Sequence, residues 1–323
     1  MSTFLVTGSE GNIGPYLINQ IRQTFPDAKI IRVAHKHTAK NRNKIDFVMR
    51  GDLNDKKFVD KIFQKHQIDF VIYAATPPYN QDGFKQPNKI LKTEALCLNN
   101  VLTNCKKIKK IVYLSSVLVY ESGNVTPFAE EMTDKIPPPK SPYGLAKHLG
   151  EKPVKLFASQ NHISYTIWRA HNVVSPLEQV TATGHVYTDF YRKIFLEKTP
   201  VLEIYGSGRQ TRCFTWVEDL AKGMIEFVNN AKTDNQIFNI GGAEPKTLLE
   251  LKDELIKIGK EKKYLPEDYN PETKTGTRFY GADDPKRFSS VEKIKAVLGW
   301  ECKTGFKTCF EKFIDYKQKH DND

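Results

Sequence analysis

Cysteine is scarce in this sequence, and the number and spacing of the cysteines argue against a disulfide-rich domain and against a zinc-binding domain. The 323 residues include five cysteines, an odd number, and no two of them have the Cys-x-x-Cys spacing common in zinc sites. The eight histidines are scattered along the chain. We therefore predict reduced thiols rather than a disulfide scaffold, and no bound metal.

Long apolar runs are also missing. No segment reaches the roughly 18 apolar residues of a membrane-spanning helix, and Met1-Ser2-Thr3 does not begin the basic-then-apolar pattern of a secretory signal. We expect a cytoplasmic protein without a membrane partner. Hydrophobic residues make up 39% of the chain, which is enough for a real core and too much for a disordered protein.

The formal charge is +11, which raises the possibility of nucleic-acid binding. The lysines, however, are spread along the chain, and the densest groups are short. This pattern is typical of a solvated surface, so we expect no nucleic-acid partner. A positive potential would still attract small anionic ligands.

Short β-branched or aromatic runs alternate with helical patterns in the first half of the chain. These runs cover residues 4–7, 29–33, 47–49, 70–75, 111–116 and 164–168. Between the first two runs, Ile13, Leu17, Ile18 and Ile21 have helical spacing. This alternation predicts an α/β fold with a Rossmann-type, doubly wound parallel sheet.

The alternation becomes less regular after Trp168, where turn-rich segments appear. We predict a smaller C-terminal substrate lobe that is interleaved with the last elements of the sheet. The proposed dinucleotide-binding domain comprises residues 1–174 plus about 214–241. The lobe comprises about 175–213 plus 242–323.

A glycine-rich segment follows the first predicted strand and begins the first helix. Gly8 permits a tight turn, Gly11 lets backbone N–H groups approach a pyrophosphate, and Gly14 allows close packing of helix on strand. The helix N-terminus offers unpaired N–H groups to phosphate. The segment therefore predicts a dinucleotide site. We place the cofactor also against Glu10, Asn12, Ile13, Leu53, Ala74, Ala75, Tyr143 and Lys147.

The end of the second strand bears on the choice of dinucleotide. NAD enzymes usually have an acidic residue there for the ribose hydroxyls, but the expected position is Ala34, followed by His35 and Lys36. Two potential cations without an acid favour a 2′-phosphate, so we predict NADP, with NAD as the alternative. Asp52, after the third strand, is expected either to contact the adenine or to cap a helix.

Three residues form a candidate catalytic set. Ser116 ends the fifth strand, and Tyr143 and Lys147 are four apart on a predicted helix, so their side chains share one face. Tyrosine is a poor base at neutral pH because its pKa is about 10. A nearby ammonium lowers that pKa, so Tyr143 can exchange a proton with a substrate hydroxyl that Ser116 hydrogen-bonds.

Together these segments resemble the extended short-chain dehydrogenase/reductase family, especially its nucleotide-sugar epimerases, dehydratases and reductases. The resemblance spans nearly the whole chain, and it includes segments 169–172, 205–212, 238–242 and 298–300. It implies that Asn172 and Arg212 contact the nucleotide-sugar phosphates. Arg278 and Arg287 are candidates for a second phosphate clamp or, equally, for solvated surface arginines. The family also implies a homodimer.

Departures from the family narrow the reaction. Dehydratases place an acidic pair directly after the catalytic serine or threonine, and the reductases that also epimerise C3 and C5 use a cysteine at the second of these positions. Here the positions hold Val117 and Leu118, which cannot transfer protons. We therefore expect hydride chemistry at C4 alone. A 4-keto-sugar reductase comes first because of the NADP prediction, and a nucleotide-sugar 4-epimerase is the alternative. A non-catalytic dinucleotide sensor is the third possibility.

Overall fold

The computed structural model describes residues 1–35, 47–76, 85–181, 184–276 and 288–320. Within them the strands are β1 (Thr3–Thr7), β2 (Lys29–Ala34), β3 (Phe47–Arg50), β4 (Phe70–Tyr73), β5 (Lys110–Ser116), β6 (Ser164–Ala170), β7 (Asn172–Val174), β8 (Val201–Tyr205), β9 (Thr211–Arg212), β10 (Phe214–Trp216), β11 (Gln236–Ile240), β12 (Lys246–Thr247) and β13 (Glu272–Gly276).

The helices are α1 (Gly14–Thr24), α2 (Lys56–Lys65), α3 (Pro87–Leu102), α4 (Pro142–Asn161), α5 (Val186–Tyr191), α6 (Val217–Glu226), α7 (Leu248–Glu261), α8 (Glu292–Leu298) and α9 (Phe306–His320). Short 3-10 turns cover Val117–Tyr120, Glu130–Asp134 and Ala231–Thr233, and a π-helical turn, Arg192–Leu196, continues α5. In the described ranges, no helix is long and apolar enough to span a membrane.

Seven strands of the described chain form one central sheet in the order β11-β6-β5-β4-β1-β2-β3, and every neighbouring pair is parallel. Their sequences are apolar on both sides because helices cover both faces. Phe70, Val71 and Ile72 of β4, for example, are all buried. The predicted doubly wound fold is confirmed.

Two apolar clusters occupy the two faces of this sheet. On one face, Leu17 and Ile21 of α1 pack with Met224 of α6. On the other face, Val59 of α2 packs with residues of α3 and α4, including Val154. The strand order reverses at β1 and β4, and ligands of such sheets bind beyond the carboxyl ends of the strands at this reversal.

A third apolar cluster lies in the C-terminal half of the chain. It joins α5, α7 and α9 through buried side chains such as Tyr191, Leu255 and Phe313. This half also contains three two-stranded sheets, in which β7 pairs with β10, β8 with β13 and β9 with β12. The predicted division into a dinucleotide domain and a lobe remains a proposal.

Candidate active site

The glycine loop passes over the carboxyl end of β1 with almost no space for side chains. Gly8 has a φ of +66°, and a Cβ there would lie 2.8 Å from the carbonyl oxygen of Ala74. The Gly11 amide donates to the Gly8 carbonyl at 3.0 Å. A Cβ on Gly14 would overlap the backbone of Ser9 at 2.6 Å. The positive φ of Gly8 and the close contacts at Gly8 and Gly14 explain why these two positions are glycine.

The start of α1 is open to an anion. Its N-cap residue, Ile13, gives no side-chain hydrogen bond to the first turn, so the N–H groups there have no side-chain acceptor. Thr7 Oγ1 accepts from the amides of Ala74 and Ala75, at 3.1 Å each, which holds the end of β4 beside the loop. These residues fit a dinucleotide pyrophosphate. Ser175 Oγ donates to the Asn12 carbonyl at 2.7 Å and ties the start of the C-terminal half to the same loop.

Two close pairs of side chains lie at the end of β2, where an adenosine contact is predicted. Glu10 of the glycine loop accepts from the buried Arg32 at 2.7 Å, a pair that the sequence alone did not reveal. His35 Nε2 is 3.5 Å from an Asp52 carboxylate oxygen. Lys36, the second predicted cation, lies outside the described residues.

Asp52 forms a turn rather than a helix cap. Its side chain accepts from the Asn54 amide at 2.9 Å, whereas Asp55 caps α2 by accepting from Lys57. The possibility that Asp52 is the N-cap is therefore wrong, and its position beside His35 is compatible with an adenosine contact. Leu53, the neighbouring predicted contact, is buried.

The candidate catalytic residues come from β5 and the first turns of α4. Ser116 ends β5 and caps the next 3-10 turn, because its Oγ accepts from the Leu118 amide at 3.2 Å, and its own hydrogen can be donated to a ligand. Ser141 caps α4 by accepting from Gly144 at 3.1 Å. A Cβ on Gly144 would lie 2.8 Å from the Leu118 carbonyl, so the two segments touch. Tyr143 lies in the first turn of α4, next to this contact.

Lys147 lies one helical turn after Tyr143 and is buried. Its ammonium is 5.9 Å from the centre of the Tyr143 ring, 5.0 Å from that of Tyr113, and 3.1 Å from Oε1 of Glu94 on α3. Tyr113 also donates to Glu94 Oε1, at 2.9 Å. No sequence pattern indicated Glu94, because no helical or strand spacing connects it with a lysine 53 positions later.

A buried polar network holds α4 against the sheet. Arg169 of β6 is fully buried and donates to both carboxylate oxygens of Glu151, at 2.9 and 2.6 Å. Ser115, next to Ser116, donates to the same carboxylate at 2.6 Å. The arginine also donates to Tyr120 Oη and to the Glu130 carbonyl, both at 2.7 Å. Glu151 holds the pKa of Arg169 above its ordinary value despite burial, which opposes the rise.

Two of the four predicted substrate residues, Asn172 and Arg212, lie within the described residues. Asn172 donates to the Cys213 carbonyl at 3.0 Å, and Arg212 is half-buried on β9. Arg278 and Arg287 lie outside the described residues. Phosphate contacts by Asn172 and Arg212 therefore stay predictions.

Two histidines are the remaining candidates for proton transfer in this half. The buried His171 has both ring nitrogens engaged, with the Gly242 carbonyl and the Ser289 hydroxyl, and burial lowers its pKa to about 4. It is therefore neutral near pH 7. His185 is paired with the buried Glu178 at 2.5 Å, which raises its pKa even though burial opposes the rise. In the described ranges, no three His, Cys, Asp or Glu side chains are grouped to hold a metal ion.

Comparison with known proteins identifies the family to which this chain belongs. The profile of the NAD dependent epimerase/dehydratase family matches residues 4–241, which include the glycine loop, Ser116, Tyr143 and Lys147. The chain belongs to this family. The predicted relationship to extended short-chain dehydrogenase/reductases is thereby confirmed.

Individual relatives within this family differ in reaction. A putative UDP-glucose 4-epimerase of Methanocaldococcus jannaschii is 32% identical over 253 residues, which cover 77% of this chain and 80% of the relative. UDP-glucuronic acid decarboxylase 1 of Xenopus tropicalis is 24% identical, over 98% of this chain and 72% of that protein. The structure of UDP-glucose 4-epimerase from Thermotoga maritima with UDP-glucose is 25% identical. It superposes with a TM-score of 0.85 over 98% of this chain and 99% of its own.

Proposed function

We propose that this protein is an NAD(P)-dependent enzyme that transfers hydride at C4 of a nucleotide-diphosphate sugar, most simply as a 4-epimerase. One observation carries the proposal: the buried Lys147 ammonium lies 5.9 Å from the Tyr143 ring, where the start of α4 meets the Ser116 end of β5. Relatives named as 4-epimerases support the choice of reaction.

The chain's residues have separate roles in this reaction. Tyr143 takes the proton of the C4 hydroxyl, Ser116 donates a hydrogen bond to the same oxygen, and Lys147 favours the phenolate. The bound nicotinamide would accept the hydride and return it. Val117 and Leu118 follow Ser116 and supply no second acid or base.

A 4-keto-sugar reductase is the second candidate, because His35 at the end of β2 suits a 2′-phosphate. The predicted NADP preference stays a prediction. Glu10 and Asp52 place two carboxylates near this end, and Arg32 neutralises the first. The NADP preference is tested by measuring the dissociation constants of NADH and NADPH at low and high salt. If exposed charges favour NADPH, salt should screen them and reduce the difference in affinity.

Product analysis separates the two reactions. Purified protein is offered UDP- and dTDP-linked hexoses, UDP-glucuronic acid and a 4-keto nucleotide sugar with reduced cofactor, and products are followed by NMR together with the absorbance of reduced cofactor. Inversion at C4 without net change in reduced cofactor supports the epimerase. Consumption of reduced cofactor in proportion to a 4-keto substrate supports the reductase. Dinucleotide binding without turnover of any sugar would favour the sensor.

A homodimer is proposed from exposed leucines on two neighbouring helices. Leu149 and Leu156 of α4 are 51% and 60% exposed, and Leu96 of α3 is 37% exposed. The first two lie seven residues apart and therefore on one helical face. Exposed apolar groups that share a face in this way are typical of a protein interface. The family resemblance implies that the partner is a second copy of this chain.

A further inference from the structure

An acidic side chain, Glu94, lies within the proposed proton-transfer site. Its Oε1 is 3.1 Å from the Lys147 ammonium, and both side chains are only 2% exposed. Among the described residues, no hydrogen-bond donor reaches the buried Oε2 of Glu94. A buried carboxylate with one unsatisfied oxygen costs folding free energy, so packing alone does not explain a glutamate here.

Resting on the proposed function, we propose that Glu94 is a positioning residue that fixes the Lys147 ammonium beside Tyr143 and offsets its charge, so that the Tyr143 phenolate forms at a higher pH. A lysine without a counter-ion would act on the phenol with its full positive charge. With a carboxylate in contact, the net charge of the pair is zero, so part of the effect of the lysine on the phenol is cancelled. The lysine remains in place, but it favours the phenolate less strongly.

The other titratable groups around the ammonium do not perform this role. Burial and Glu94 hold the pKa values of Tyr73 and Tyr113 well above the ordinary value, so both phenols stay neutral. Burial raises the pKa of Cys97, one turn after Glu94 on α3, to about 12. Glu151, one turn after Lys147 on α4, is occupied by Arg169 and Ser115. Among the residues that the structure describes, Glu94 is thus the anion in contact with Lys147.

The test is Glu94→Gln, which preserves the shape and keeps an oxygen for Lys147 while removing the charge. We expect the pH of half-maximal turnover, on the acidic side of the profile, to fall by about one unit, the lower end of the effect of a contacting charge. A second readout needs no substrate. Phenolate absorbance is titrated, and the curve of the corresponding Tyr143→Phe variant is subtracted to isolate one of the 14 tyrosines.

Tyr113→Phe is the matched control, because it removes a hydrogen bond to the same Glu94 oxygen but leaves the charge. It should keep the wild-type titration midpoint. If Glu94→Gln does not fold, Glu94→Asp replaces it. The aspartate carboxylate is about one C–C bond further from the ammonium, so the shift should be smaller and in the same direction.

The outcomes separate this inference from the proposed function. A Tyr143 titration midpoint that moves to lower pH supports the role of Glu94 even if no nucleotide sugar is turned over. The lack of turnover would count only against the proposed function. An unchanged midpoint in a folded Glu94→Gln or Glu94→Asp variant overturns the inference and leaves Glu94 as an ordinary buried ion-pair partner.

Discussion

At the scale of single residues, the site combines one hydroxyl that can exchange a proton with groups that only orient it. Tyr143 is placed by the capped start of α4, and Ser116 by the end of β5. His171 is excluded as a general acid near neutral pH because burial lowers its pKa to about 4 and both ring nitrogens are engaged. We therefore propose Tyr143 as the group that transfers the proton.

Tyr143→Phe should reduce turnover by about 10²- to 10⁴-fold, the usual cost of losing a positioned acid or base. Dinucleotide affinity should change little, since one hydroxyl is removed and the glycine loop is untouched. Steady-state kinetics and a dinucleotide binding titration measure both. Tyr269→Phe, which removes a hydroxyl bonded to the Thr199 carbonyl, is the control. Near-normal turnover of Tyr143→Phe would show that another group transfers the proton.

At the scale of elements, α4 is positioned by charge as well as by apolar packing. Arg169 and Glu151 are both buried and connect β6 to the helix that carries Tyr143 and Lys147. Removing one partner of such a pair leaves the other charge buried without compensation, which is more costly than losing a neutral hydrogen bond.

Glu151→Gln should lower the free energy of unfolding by about 3 to 5 kcal/mol, because Arg169 keeps its charge in the core. Ser115→Ala removes only one hydrogen bond to the same carboxylate and should cost less, about 1.5 to 3 kcal/mol. Denaturant unfolding of both variants provides the comparison. Equal losses would mean that the ion pair does not dominate the attachment of α4.

Local patterns predicted the elements better than they predicted the contacts between distant segments. The apolar run at 70–75 located β4, although the strand ends at Tyr73, where Ala74 and Ala75 turn towards Thr7. Tyr143 and Lys147 were predictable because their spacing lies within one helix. Glu94 and the Glu10–Arg32 pair were not, since tertiary packing brings together segments that no sequence period connects.

At the scale of the whole molecule, the proposed homodimer depends on the exposed leucines of α3 and α4. Replacing Leu149 and Leu156 together by glutamate should convert a dimer to a monomer, because burying two carboxylates in an apolar interface is unfavourable. Light scattering after gel filtration measures the change. Leu196→Glu, at another exposed leucine, is the control and should keep the dimer. A monomeric wild-type protein would contradict the proposal.

The central claim, chemistry at C4 alone, is tested most directly by incubating the protein with nucleotide sugars in D₂O and reading the products by NMR. Because Val117 and Leu118 supply no second acid or base, we predict a change at C4 with no solvent deuterium at C3 or C5 and no new C6 methyl group. Enzyme-dependent deuterium at C3 or C5, or a 6-deoxy-4-keto product, would contradict this account and direct attention to His185.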